Sequence, residues 1–140
     1  MKRHVRGIAR DALAFILEAS ASALPTEFAG LLEARDGVIT DILILPGTES
    51  SERSAWVKLY MLPNMPIVGS VHSHPTSNPR PSQADLGFFA RTGNCHIIAA
   101  YPFDERSWRC YDASGREREL SVMDVDVEDY SGDDTGGDHL

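Results

Sequence analysis

Two histidines and an aspartate stand at a spacing that could hold a metal ion. His72 and His74 lie in the segment VHSHP, and Asp85 follows His74 by eleven residues. Side chains two apart on a strand point to one face, so both imidazoles would project together while Ser73 faces away. Two imidazoles and one carboxylate are typical of a catalytic zinc site, which keeps a fourth position for water. Nitrogen and carboxylate donors at a tetrahedral site favour zinc over magnesium or calcium.

Each half of this pattern also has a purely structural interpretation. Ser82 and Asp85, three residues apart before the apolar Leu86, are equally typical of a capping box at a helix start. Taken alone, this pair more often caps a helix, and a His-x-His pair on a strand more often forms a solvated edge. The two motifs together, at this spacing, are much more specific than either one.

The joined motifs resemble a known family. HSHP, then six residues, then SQAD is similar to the His-x-His-Pro and Ser-x-x-Asp signature of JAMM/MPN+ zinc metalloproteases. The resemblance implies that His72, His74 and Asp85 bind Zn²⁺. It also implies that Glu27, in the segment PTEFAGLL, is the general acid/base and that Ser82 stabilises the oxyanion. The context of Glu27 looks like that of small archaeal members.

Glu27 has rivals for the catalytic role. Glu18 falls on the predicted first helix, Glu33 lies near a predicted hairpin turn, and Glu49 and Glu52 fall in a polar loop. Without the resemblance, Glu27 would be interpreted as a solvated carboxylate at a strand start, the commoner fate of a glutamate. Only geometry can separate these candidates.

The elements that must position these residues can be predicted from the sequence. Apolar residues at helical spacing predict a first helix from residue 6 to about residue 23, closed by Pro25. A hairpin follows, because Asp36-Gly37 supplies the positive φ angles of a tight turn. After a loop at 46–54, a short strand is predicted at 55–60, and prolines keep 61–66 from continuing a central one.

The second half of the chain is predicted to carry the signature. IVGSVHSH is a strand, TSNPRP is a rigid connector, and Ser82 opens a helix that runs to about Arg91 and stops at Gly93. CHIIAAY, WRCY and RERELSVM are predicted as three antiparallel strands. With the hairpin turning near Asp104, Cys95 and Cys110 would lie about four residues out of register, beyond disulfide reach, so two reduced thiols are expected.

Composition and charge limit the class of protein. The chain has 140 residues, 42% of them hydrophobic and 24% charged, as in a soluble protein with one domain. The net charge is −8, but the 21 acidic and 13 basic residues divide into −1 for residues 1–120 and −7 for residues 121–140. A domain without basic surplus disfavours nucleic-acid binding. The apolar runs are too short for a membrane span or a signal peptide, which favours the cytoplasm.

The resemblance covers roughly residues 6–123 and implies an α/β protein with the MPN (cytidine-deaminase-like) fold, a mixed sheet flanked by helices. We therefore expect a JAMM/MPN+ domain at 1–123 and a disordered acidic tail at 124–140. The implied activity is that of a zinc isopeptidase or peptidase of the desampylase type, which cleaves after the C-terminal Gly-Gly of ubiquitin-like modifiers.

Two other functions stay open at this stage. One is a hydrolase that processes a sulfur-carrier protein precursor or adduct, and the other is a non-catalytic MPN-like interaction module. Residues 55–65, just before the metal strand, could pair with an extended substrate tail, although a plain edge strand with a connector explains them equally well. The oligomeric state cannot be predicted from the sequence.

Overall fold

The computed structural model describes residues 4–46 and 66–125, and these form a mixed sheet with a helix on each face. The first half of the fold is a strand, a helix and a hairpin, and the second half carries the remaining strands around a short helix. The elements in chain order are β1 (Gly7–Ala9), α1 (Arg10–Ala23), β2 (Ala29–Arg35), β3 (Val38–Ile44), β4 (Ile67–His74), α2 (Gln83–Phe89), β5 (Cys95–Ala100), β6 (Trp108–Tyr111), β7 (Glu117–Arg118) and β8 (Ser121–Met123).

The order of strands across the sheet is β7-β6-β5-β4-β2-β3-β1-β8. β4 pairs antiparallel with β2 on one side and parallel with β5 on the other. A parallel pair needs a crossover, and here α2 provides it, so the end of β4 and the end of β5 lie at the same edge of the sheet. That edge is where His74 pairs in register with Ala100.

Two apolar cores, one on each face of the sheet, hold the helices in place. Because neighbouring side chains on a strand point to opposite faces, Ile97 packs in the cluster under α1 and Ile98 in the cluster under α2. All six residues of β5 are buried. Central strands buried on both faces therefore support the end of β4, where the histidines lie.

Several predicted elements are confirmed. The hairpin turns at Asp36 and Gly37, which have φ angles of 53° and 79° as the tight turn requires. The first helix ends at Ala23, before Pro25. β4 covers IVGSVHSH, and Ser82 is the N-cap of α2.

The start of the first helix was predicted wrongly. Residues 7–9 form β1, a buried strand that pairs with β3 and β8, and α1 begins only at Arg10. Ile8 matches the helical spacing of the apolar residues that follow, so periodicity alone extends the helix too far. What keeps these residues extended is pairing with distant strands, which the local pattern does not contain.

The last predicted strand, RERELSVM, is also wrong as a single antiparallel element. It divides into β7, which pairs antiparallel with β6, and β8, which pairs parallel with β1 at the opposite end of the strand order. Arg118 on β7 donates to the Val5 carbonyl at 2.7 Å and to the Asn94 carbonyl at 3.0 Å. The sheet is curled, and the chain crosses from one edge to the other within a few residues.

The expected distance between the cysteines is wrong, because the hairpin between β5 and β6 has another register. Cys110 pairs with Ile97, so it is two residues out of register with Cys95 instead of about four. Both side chains point to the same face, and the two Sγ atoms are 3.4 Å apart. The cysteines are nevertheless free thiols, both buried.

Some predictions fall outside the described residues. These are most of the loop at 46–54, the strand at 55–60, most of the connector at 61–66, the candidate pairing edge at 55–65 and the acidic tail beyond Val125. Across the parts of the chain that are described, neither helix has the length and apolar character needed to cross a membrane.

Candidate metal centre

The two histidines and the aspartate of the signature come together at the edge of the sheet. Nε2 of His72 is 3.1 Å from Nε2 of His74 and 3.2 Å from Oδ1 of Asp85, while Nε2 of His74 is 3.4 Å from Oδ2 of Asp85. The side chains of His72 and Asp85 are only 4% and 6% exposed, and that of His74 is 17% exposed. The three side chains thus form a compact triangle of possible metal ligands, with one ligand atom from each within 4.8 Å of the others, and His74 is its most exposed corner.

The size of this triangle fits a zinc ion. Tetrahedral zinc binds imidazole nitrogen and carboxylate oxygen at about 2.0–2.2 Å, which places any two ligand atoms about 3.3 Å apart. The separation of the two Nε2 atoms, 3.1 Å, and the distances of 3.2 Å from His72 to Oδ1 and 3.4 Å from His74 to Oδ2 of Asp85 lie around this value. Two nitrogens and one oxygen account for three vertices of the tetrahedron, and the fourth can face solvent.

Local structure explains how Asp85 reaches the histidines. Ser82 and Asp85 form a capping box at the start of α2, with Ser82 N to Asp85 Oδ2 at 2.9 Å and Asp85 N to Ser82 Oγ at 3.1 Å. A residue of β6 holds the connector between β4 and α2 in place, because the Tyr111 hydroxyl donates to the Pro79 carbonyl at 2.8 Å. Capping and metal binding are therefore compatible interpretations, since the box itself aims the carboxylate at the histidines.

Hydrogen bonding selects the tautomer of His74 that suits a metal ligand. Nδ1 of His74 lies 2.9 Å from the carbonyl oxygen of Asn78. A carbonyl can only accept, so Nδ1 carries the hydrogen, and in the neutral ring Nε2 presents its lone pair to the triangle. The segment between β4 and α2 thus orients the His74 ring through the Asn78 carbonyl.

His74 and Asp85 shift each other's pKa in opposite directions. Burial raises the pKa of Asp85, but hydrogen bonds with His72 and His74 outweigh it and hold that pKa well below its usual range. The hydrogen bond with Asp85 is the largest cause of a raised pKa at His74, and the nearby carboxylates of Asp85 and Glu27 add to it. Asp85 is therefore ionised at neutral pH, as a metal ligand must be.

Glu27 lies next to this triangle. Ala29 pairs with His72, and continuing the same antiparallel register places Glu27 opposite His74. The two strands stay together to that point, because Ser73 N donates to the Phe28 carbonyl at 2.9 Å. The half-buried Glu27 is also close enough to raise the pKa of His74. The structure thus brings Glu27 to the same edge as the candidate metal ligands.

Comparison with known proteins bears on both the fold and the function. The model of the family described as prokaryotic homologues of the JAB domain matches residues 2–111, well over half of the chain. The chain belongs to this family. A probable metalloprotease from Haloferax volcanii is 47% identical to this JAB-domain protein, over 91% of this chain and 85% of the relative.

Two similar solved structures are consistent with membership of this family. A JAB1/MPN domain protein from Archaeoglobus fulgidus is 41% identical with a TM-score of 0.71, over 84% of this chain and 99% of that one. A structure described as JAMM, a metalloprotease-like zinc site in the proteasome and signalosome, is 39% identical with a TM-score of 0.69, over 86% of this chain and 99% of that one. The predicted family, the MPN fold and the JAMM zinc-metalloprotease class are confirmed.

The remaining candidates of this JAB-domain protein are placed as follows. Ser82 is exposed at the N-cap of α2, beside the triangle. Glu18 is exposed on α1, and Glu33 lies on β2 facing Asp41 across the hairpin, so neither shares the edge that holds Glu27. Glu49 and Glu52 lie outside the described residues.

The aromatic side chains that pack near His72 were not predicted from the sequence. Phe89 lies 6.5 Å from His72, measured between ring centroids, and stacks on the fully buried His96 at 4.3 Å. His96 bonds in turn to Ser70 Oγ at 2.8 Å and to the Gly93 carbonyl at 2.9 Å. A buried histidine within an apolar strand was the available signal, but only the structure shows what it stacks on.

Proposed function

We propose that the protein is a zinc-dependent isopeptidase or peptidase that cleaves after the C-terminal Gly-Gly of a ubiquitin-like modifier, as a desampylase does. The observation that carries the proposal is the donor triangle of His72, His74 and Asp85, which has the size of a tetrahedral zinc site and has Glu27 beside it. Membership of the JAB family and a relative described as a probable metalloprotease support the hydrolytic part.

In the proposed reaction, Glu27 moves the proton. The chemistry that Zn²⁺ supplies at such a site is a polarised scissile carbonyl and a water whose pKa falls towards about 7. Glu27 accepts the proton of the attacking water and later passes it to the leaving amine, which needs a carboxylate on the open side of the triangle. The place of Glu27 opposite His74, the most exposed of the three ligands, meets this need.

Ser82 can act on the developing oxyanion without giving up its structural role. Its Oγ accepts the hydrogen bond from Asp85 N, which uses a lone pair and leaves the hydroxyl hydrogen to donate. Because Ser82 caps the helix whose third residue is Asp85, the donor is held at a fixed distance from the metal-binding carboxylate. A hydrogen bond that strengthens as charge develops on the carbonyl oxygen lowers the barrier to cleavage.

The choice of substrate rests on the resemblance of the signature. A modifier ending in Gly-Gly suits an open edge site, because two residues without side chains let the scissile bond come close to the metal. The partners in this proposal are ubiquitin-like modifiers and their conjugates. Two free cysteines support a reducing compartment, so we place the reaction in the cytoplasm.

The test is cleavage of a Gly-Gly-linked conjugate by the purified protein and by two glutamine variants. Glu27→Gln should lower kcat by about 100-fold to 10,000-fold, the usual contribution of a general acid or base, and should keep its zinc. Glu18→Gln, an exposed glutamate on α1, is the matched control and should cleave at the wild-type rate.

Three outcomes would count against parts of the proposal. Full activity of Glu27→Gln would remove Glu27 from the mechanism. Cleavage of a precursor tail but not of an isopeptide conjugate, read by mass spectrometry, would favour processing of a sulfur carrier. A protein that binds zinc and cleaves neither substrate would be an interaction module.

A further inference from the structure

Ser73, between the two histidines, is joined to the segment that carries Glu27. Its side chain is buried on the opposite face from the metal-binding triangle, and the residue is only 1% exposed. The Phe28 amide donates to Ser73 Oγ at 2.8 Å, and Ser73 N donates to the Phe28 carbonyl at 2.9 Å. Both backbone polar groups of Phe28 are thus bound to one residue of the metal strand.

One of these two bonds depends on a side chain. In a regular antiparallel ladder, facing residues exchange N–H···O=C bonds through the backbone alone, whatever their side chains are. At this pair the hydroxyl of Ser73 accepts the Phe28 amide. The contact of β4 nearest to Glu27, between Ser73 and the residue just before β2, therefore depends on the type of residue at position 73.

Glu27 lies between two fixed points. On its N-terminal side, Thr26 bonds to the end of α1, with Thr26 N at 2.8 Å and Thr26 Oγ1 at 2.6 Å from the Ala23 carbonyl. On its C-terminal side is Phe28, held by Ser73. Glu27 itself belongs to neither α1 nor β2. The backbone of Glu27 is consequently held on both sides by these two neighbours.

We propose that Ser73 is a positioning residue, whose hydroxyl fixes Phe28 and so holds the Glu27 carboxylate at a set place relative to His72 and His74. This inference rests on the proposed function, because it acts through the catalytic role of Glu27. Ser73 is on the same strand as both histidines, so one short segment sets the metal ligands and the proton acceptor together. A displacement of about 1 Å at a catalytic group can cost about 100-fold in rate.

A serine with a merely structural role would behave differently. Removing it would lower stability, as the loss of any buried hydroxyl does, without a specific effect on turnover. Ser20 offers that comparison within the same chain, because it is fully buried and its hydroxyl donates to the Ile16 carbonyl at 2.7 Å within α1. Ser20→Ala is therefore the matched control for Ser73→Ala.

The experiment measures kcat, KM and zinc content on a Gly-Gly-linked conjugate, and amide exchange of the metal-free protein by NMR. Ser73→Ala should keep zinc and KM, lose about 10-fold to 100-fold in kcat, and speed up exchange of the Phe28 amide by about 10-fold or more. Ser20→Ala should keep the wild-type kcat with a similar fall in melting temperature. Ser73→Cys fills nearly the same space with a weaker acceptor, gives an intermediate kcat, and carries the test if the alanine variant does not fold.

Two results would overturn the role of Ser73 while leaving the proposed function intact. One is a wild-type kcat in Ser73→Ala when Glu27→Gln is inactive, and the other is unchanged protection of the Phe28 amide. Equal losses of kcat in Ser73→Ala and Ser20→Ala would likewise reduce Ser73 to a structural residue. If the wild-type protein itself cleaves no Gly-Gly-linked substrate, the proposed function is wrong and the role of Ser73 is wrong with it.

Discussion

Acidification should destabilise this protein through His96, a histidine outside the metal-binding triangle. His96 is fully buried under Phe89, with Nδ1 bonded to the Ser70 hydroxyl and Nε2 to the Gly93 carbonyl. The carbonyl requires a hydrogen on Nε2, so Nδ1 accepts from Ser70 and the ring is neutral. A second proton would leave Nδ1 facing the serine as a donor and would bury a charge.

The size of the effect follows from the pKa of His96. This pKa is lowered from 6.5 to about 4, with burial as the largest cause and the nearby His72 acting in the same direction, while the hydrogen bond to the Gly93 carbonyl and the charge of Asp112 act in the opposite direction. Above about pH 6.5 the ring is neutral in both the folded and the unfolded chain, so the stability is fully present. Between about pH 6.5 and 4 only the unfolded chain takes up the proton, and the free energy of unfolding falls by about 3 kcal/mol.

The assay is urea unfolding of metal-free protein between about pH 7.5 and pH 4.5. His74 acts oppositely in this range, because its raised pKa favours the folded state as the pH falls, so the wild-type slope alone is ambiguous. The variant His96→Gln cannot titrate and should lose about 2 kcal/mol less than the wild type over this range. His4→Gln, at an exposed histidine, should keep the wild-type slope. Equal slopes for His96→Gln and the wild type would show that protonation of His96 does not destabilise the protein.

Two further predictions concern the strand and the helix that carry the candidate metal ligands. Gly69→Ala should lower the free energy of unfolding, measured by urea titration, by about 3 kcal/mol or more, because a Cβ there would lie 1.5 Å from the Cys95 carbonyl oxygen. Gly87→Ala on α2 is the control, because a Cβ there meets no atom within 4 Å, and it should be neutral or slightly stabilising. Ser82→Ala should lower the free energy of unfolding by about 1 kcal/mol and kcat by about 100-fold. Ser82→Gly should lower kcat equally but stability by only about a few tenths of a kcal/mol, because glycine is a tolerated N-cap. Equal kcat for the wild type and Ser82→Gly would exclude the hydroxyl from the reaction.

The parts of the fold that could be predicted from the sequence are those whose causes are local. Asp36-Gly37 specifies its own turn, Pro25 stops a helix, and Ser82 with Asp85 caps one. The site was predictable for a related reason, because His-x-His needs only a strand to bring two rings to one face. The convergence of Asp85 with that pair follows from a short connector and a capping box.

The parts that could not be predicted depend on pairing between distant segments. β1 is a strand because β3 and β8 pair with it, although Ile8 by itself fits a helix. The contact between Cys95 and Cys110 depends on where the hairpin turns, and a shift of two residues changes it completely. The hydrogen bond from the Phe28 amide to the Ser73 hydroxyl likewise could not be predicted, since 45 residues separate the two.

The proposed mechanism requires that His72, His74 and Asp85 together hold one zinc ion. The deciding measurement is the zinc content of the purified protein, determined by elemental analysis after dialysis, beside that of His74→Ala. The geometry predicts one zinc ion per wild-type chain and a loss of most of it in the variant, with an unchanged circular dichroism spectrum. A wild-type protein that keeps no zinc, or a variant that keeps as much as the wild type, would show that these three residues do not form a zinc site.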